Sequence, residues 1–113
     1  VSTTSLIDLA TFQELRETAG AAFVAELIDT FFEEAPVLLV ELRAARDAAA
    51  AQRFQRAAHS LKSNAQTFGG TVLGALAREL ELGGLDSASD DRLQALDVAW
   101  QRAAAALKGL QHG

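Results

Sequence analysis

Apolar side chains recur along this sequence at intervals of three and four, the period of an amphipathic helix. Ile7, Leu9, Phe12 and Leu15 predict a short first helix, with Asp8 placed to cap it and Gly20 to stop it. From Ala21 onward Val24, Leu27, Ile28, Phe31, Ala35, Leu38, Leu42 and Ala45 form one continuous stripe, which predicts a long second helix. Pro36 lies inside that stripe, where the lost backbone donor implies a bend rather than two separate elements. The next boundary is weakly marked, because Arg46 to Arg53 contains neither Gly nor Pro. Asp47 is its one clear capping side chain, and the turn is placed near it.

A third helix is predicted to about Phe68, with Phe54, Ala58, Leu61, Ala65 and Phe68 on one face and Gly69-Gly70 ending it. A fourth starts at Thr71, carries Val72, Leu73, Leu76 and Leu80, and closes at Gly83-Gly84. Leu85 to Ser89 reads as a polar turn. The last helix, from about Asp90, is expected to bury Leu93, Leu96, Val98, Trp100, Ala104 and Leu107. Four such helices with short connections hide their stripes only by packing on one another. The predicted fold is therefore all-α: an antiparallel up-down four-helix bundle with a short additional N-terminal helix. It forms a single domain over residues 1–113, with 1–5 loose and 109–113 a fraying tail.

Composition agrees with this and narrows function. The chain has 113 residues, one proline and a large share of alanine, which favours helix. It contains no cysteine, so it has no disulfide framework and no thiolate zinc site or nucleophile, which fits a cytoplasmic location. No apolar run approaches the roughly 20 residues of a membrane span. A net charge of −5 argues against a nucleic-acid backbone and for a protein partner. No methionine is present, which leaves open a removed initiator or a segment cut from a longer chain.

The chemistry concentrates on the third helix. At about 100° per residue, His59 falls about 140° from the apolar stripe, Lys62 about 80°, Gln66 about 120° and Ser63 about 180°, all away from the core. An exposed histidine is ordinarily just part of a solvated face. An imidazole, however, ordinarily titrates near neutrality and offers a free nitrogen lone pair, so His59 is a candidate nucleophile toward phosphorus. Lys62, one turn on, can place its ammonium beside a phosphoryl group on that ring, and Ser63 and Gln66 can donate hydrogen bonds to its oxygens. The positions three and four away from His59 hold Gln55, Arg56, Lys62 and Ser63, so no metal pair is formed, and the only other histidine is His112. The glycine pairs lack the context and lysine spacing of a nucleotide-binding loop.

The run Ala58-His59-Ser60-Leu61-Lys62-Ser63-Asn64-Ala65-Gln66-Thr67-Phe68-Gly69 resembles the signature of histidine phosphotransfer (HPt) domains of two-component multistep phosphorelays. Ile7-Asp8, the Glu26 to Phe32 run, Pro36, Leu39 and Leu80-Glu81 look like the same pattern, so the resemblance covers about residues 6 to 110. It implies that His59 is the phosphoacceptor and that Lys62 contacts the phosphoryl group. Ser63 stands where the family usually has glycine, which implies retained function with altered partner fit. Glu81 would align with a glutamine that orients the histidine. The resemblance further implies a phosphoryl carrier rather than a kinase, without a cofactor of its own. It is expected to act as a monomer on receiver domains of response regulators or hybrid sensor kinases, which supply the aspartate and the magnesium, and it can itself be part of a larger hybrid kinase. Phe32 and Leu39 on the second helix, with Gln55, are the candidate partner surface; the first two fit equally well as flanks of a wide core face.

Two rivals remain. A sensor-kinase dimerisation domain also bears a helix histidine, but it follows that histidine with an acidic residue, and here Ser60 follows. A helical adaptor without chemistry would carry His59 as a bystander.

Overall fold

The computed structural model describes residues 7–111; the segment 1–5 read as loose, and His112 and Gly113 of the tail, lie outside the described residues. Among the described residues the chain forms α1 (Leu9–Ala19), α2 (Ala21–Asp47), α3 (Ala51–Thr67), α4 (Thr71–Gly83) and α5 (Asp90–Gln111), with a 3-10 turn at Gly84–Ser87 and no strand. The all-α class predicted from periodicity is the one observed. Helix α2 packs on α3, α3 on α4, α4 on α5 and α5 on α2, while α1 lies against α2 and α3. Buried side chains from every helix meet inside this ring, among them Phe12, Ile28, Phe54, Leu73 and Leu107. Each fully buried Leu or Phe contributes about 1.5–3 kcal/mol relative to exposure.

Local signals set the helix ends. Asp8 caps α1, its Oδ1 accepting from the Ala10 amide at 3.1 Å and its Oδ2 from the Thr11 hydroxyl at 2.8 Å. Helix α2 runs unbroken through Pro36, so the stripe is a single element. The ends of α2 and α3 use one motif. Ala50 N–H donates to Ala45 O and Ala49 N–H to Arg46 O, as Gly70 N–H donates to Ala65 O and Gly69 N–H to Gln66 O. The left-handed position is Gly69 in one turn (φ 78°) and Ala49 in the other (φ 53°). Gly69 is also needed sterically, since a β-carbon there would lie 2.7 Å from Asp8 O, and its own carbonyl accepts from Asp8 N–H. The start of α1 is thereby tied to the turn that ends α3.

Several expectations are corrected. Asp47 ends α2 without capping α3, its carboxylate instead taking the Arg46 Nε–H; the N-cap of α3 is Ala50, with no side-chain bond. Val72 is exposed, and Gly74 and Ala77 take the buried line of α4 with Leu73 and Leu80. On α5 the buried line is Leu93, Leu96, Ala99, Ala103 and Leu107, with Val98, Trp100 and Ala104 half-buried on its flanks. Small alanines there let either register pass as a stripe. The predicted fraying after Gly109 does not occur up to Gln111, because the Gln111 amide donates to Ala25 O and Asp29 Oδ1 on α2.

Candidate functional site

Helix α3 buries Phe54, Ala57, Ala58, Leu61 and Ala65, and this face fixes the helix rotation. His59, next to two buried alanines, is turned outward with its side chain 58% exposed. Helix α4 comes close to α3 at Gly74, where a β-carbon would stand 3.5 Å from Gln66 Cγ and 3.8 Å from Ala65 Cβ. Glu81, two turns beyond Gly74 on the same side of α4, meets His59 and Lys62, so α3 and α4 run in opposite directions.

Glu81 divides its carboxylate between two partners. Oε2 lies 2.7 Å from His59 Nδ1 and Oε1 lies 2.7 Å from Lys62 Nζ. The Lys62 ammonium first, and the His59 ring second, hold the Glu81 carboxyl below its usual range, so it is ionised at neutral pH. An ionised carboxylate only accepts, and the proton of this hydrogen bond therefore resides on Nδ1. In the neutral ring, Nε2 then carries the lone pair.

The other predicted residues separate. Lys62 is 19% exposed rather than solvent-facing: at about 80° from the stripe it sits at the border of the buried face, and its stem is covered while its ammonium reaches Glu81. Ser63 is half-buried and lines, with His59, Ser60, Asn64 and Val37, a depression between α3 and α2. Gln55 is exposed and shares a second depression with His59, Arg56 and Glu81 on the opposite side. Gln66 is not grouped with His59. Seven residues along a helix is about 10 Å, and Gln66 lines a different hollow with Asp8, Thr11 and Arg78.

Leu39 is no surface residue: it is 8% exposed and belongs to the core. Phe32 is half-buried, its ring edge-on to Trp100 at 6.1 Å. With α1, α3 and α5 all packed on it, α2 has a buried face wide enough to take in both. The large apolar residues α2 does present are Phe23 near its start, 52% exposed, and Val37 and Val40 on the stretch beside α3, 65% and 70% exposed. Val37 and Val40 lie about 140 to 160° from the stripe, and two valines on a face that should be polar was the signal available in the sequence.

Among the described residues no group of three or more His, Cys, Asp or Glu is placed to hold a metal ion, and no helix is long and apolar enough to cross a membrane. No curated protein and no solved structure matches the chain. The family model described as Hpt domain matches residues 26–111, which takes in most of α2 and all of α3, α4 and α5. Domains of this kind are helical phosphoryl carriers that work with receiver domains in two-component phosphorelays. By that match over most of its length, and with an all-helical fold in agreement, the chain belongs to the Hpt domain family.

Proposed function

We propose that His59 is the phosphoacceptor of this domain, taking a phosphoryl group on Nε2 from a receiver aspartate and returning it to another. The observation that carries this reading is the pairing of Nδ1 with Glu81 at 2.7 Å on a ring that is 58% exposed. One nitrogen is engaged by a carboxylate, and the other is left with its lone pair on an accessible side chain. The Nε2 lone pair attacks phosphorus, the N–P bond forms, and the P–O bond to the aspartate breaks with its electron pair left on the aspartate oxygen. Lys62 stands one turn away, and its ammonium offsets the charge added to the ring.

Magnesium and most of the transition-state stabilisation belong to the receiver in this reading, and the chain acts as a carrier rather than a kinase. The receiver docks over His59 with Val37 and Val40 on one side and Gln55 on the other. Ser63, in place of the usual glycine, narrows the depression on the α2 side. His59, Lys62 and Glu81 all come from one chain, which suits a carrier that acts as a monomer, and the lack of cysteine suits the cytoplasm. The helices form an up-down bundle: the pairing of α3 with α4 is antiparallel, and the three-residue link Ala48–Ala50 favours the same for α2 and α3.

The test is incubation with receivers carrying labelled phosphate. Label should move to the chain as an acid-labile adduct and should fail to move to His59→Gln of unchanged helix content. Transfer to that variant would put the phosphoacceptor on another residue and overturn this reading; transfer to neither chain across a panel of receivers would leave the helical adaptor as the better reading.

A further inference from the structure

The bond between Glu81 and His59 bears on the phosphorylated ring as well as the free one, given the reading of His59 as phosphoacceptor. Once Nε2 is bonded to phosphorus, the ring still holds its Nδ1 proton and carries a positive charge. If that proton stays, a new acceptor attacking phosphorus expels a neutral imidazole, the N–P electron pair returning to Nε2. If it is lost, the same attack expels an imidazolide anion, a far poorer leaving group. We propose that Glu81 is a proton-holding residue: its Oε2, set 2.7 Å from Nδ1, keeps the proton on phosphorylated His59 and holds the phosphoryl group in its transferable form.

The charged groups around the ring are Glu33 and Glu34 from α2, Arg56 and Lys62 from α3, and Glu81 from α4. Of these, Glu81 is the one bonded to the ring. Lys62 holds the second oxygen, Oε1, and keeps the carboxylate ionised. The phosphoryl group competes for the same ammonium. Any loosening of Lys62 from Oε1 leaves more of the carboxylate charge for the ring proton. A glutamine at this position makes no such choice, because its amide oxygen accepts from Nδ1–H and its amide nitrogen donates to a bare Nδ1 equally readily. Carboxylate and amide should therefore set different lifetimes for the phosphorylated state, and the charge at position 81 tunes the domain between a fast relay and a longer-lived store.

The full chain and its Glu81→Gln and Glu81→Ala variants can be phosphorylated with phosphoramidate. Nitrogen NMR then follows Nδ1 of the phosphorylated ring across pH, and phosphorus NMR follows loss of the adduct. In both variants the Nδ1 midpoint should fall by about one unit, and phosphoryl release above that midpoint should slow about tenfold. Equal midpoints and equal release profiles in three chains all phosphorylated on His59 would overturn the proposal. If none of the three, at native helix content, takes phosphate on His59, the phosphoacceptor reading itself fails and this inference with it.

Discussion

Of the carboxylates that reach across helix interfaces in this molecule, Asp97 and Glu81 spend their oxygens most differently. Asp97 on α5 gives both to one guanidinium on α2, with Arg43 Nη1 at 3.1 Å from Oδ1 and Nη2 at 2.7 Å from Oδ2. Glu81 on α4 gives one to His59 and one to Lys62, both on α3. The first arrangement is a closed fork in which both oxygens face one partner. The second holds an exposed imidazole by Nδ1 and takes no part in bonding Nε2. Both join neighbouring helices; of the two, the divided one has an exposed imidazole as a partner, the group proposed above to carry phosphate.

Substitutions should separate the two roles. The largest effect is expected for Glu81→Ala, which unties the Nδ1 proton and the Lys62 ammonium together: transfer rate from a phosphorylated receiver should fall about 10- to 100-fold, while helix content by circular dichroism stays native. Lys62→Ala removes one arm and keeps the His59 bond, so the loss should be smaller, about tenfold, and it should be read in the same stopped-time assay. The 19% exposure of Lys62 means that some packing is lost as well, and a modest fall in melting temperature should accompany it.

Acidification tests the divided carboxylate without mutation. The Glu81 pKa is lowered in the folded chain by Lys62 and then His59, so its contribution is present above the ordinary glutamate range and disappears as pH falls through the depressed folded value. The Glu81 carboxyl carbon shift, followed by NMR, should titrate below the usual range in the wild type and move back toward it in Lys62→Ala. Smallest of all, Arg43→Ala opens the closed fork at a partly exposed site. It should cost about 0.5–1 kcal/mol in denaturant melts and leave phosphoryl transfer unchanged. A transfer defect in that variant would erase the distinction between the two carboxylates.

How much of this could be read from the sequence follows the range of the interactions. The α3 stripe, the Asp8 cap and the Gly69 stop are local, decided by residues within one or two turns, and they stand where periodicity and capping put them. The pairing of Glu81 with His59 spans 22 positions and depends on how α4 crosses α3. Spacing along the chain held no trace of it, and only the family resemblance pointed to Glu81. Phe32 and Leu39 were open to two readings because the width of the α2 core face is set by how many helices surround it. The same holds on α5, where Ala99 and Ala103 displaced Val98 and Ala104 from the buried line: an alanine-rich helix can be turned by one position at little cost in buried area.

The central claim is most directly tested by locating the phosphate. A receiver loaded with labelled phosphate, mixed with the full chain, should deliver label to His59 and to no other residue on peptide mapping, with the N–P bond at Nε2 by phosphorus–nitrogen coupling. Label on another side chain, or a bond at Nδ1, the nitrogen that Glu81 occupies, would contradict the account.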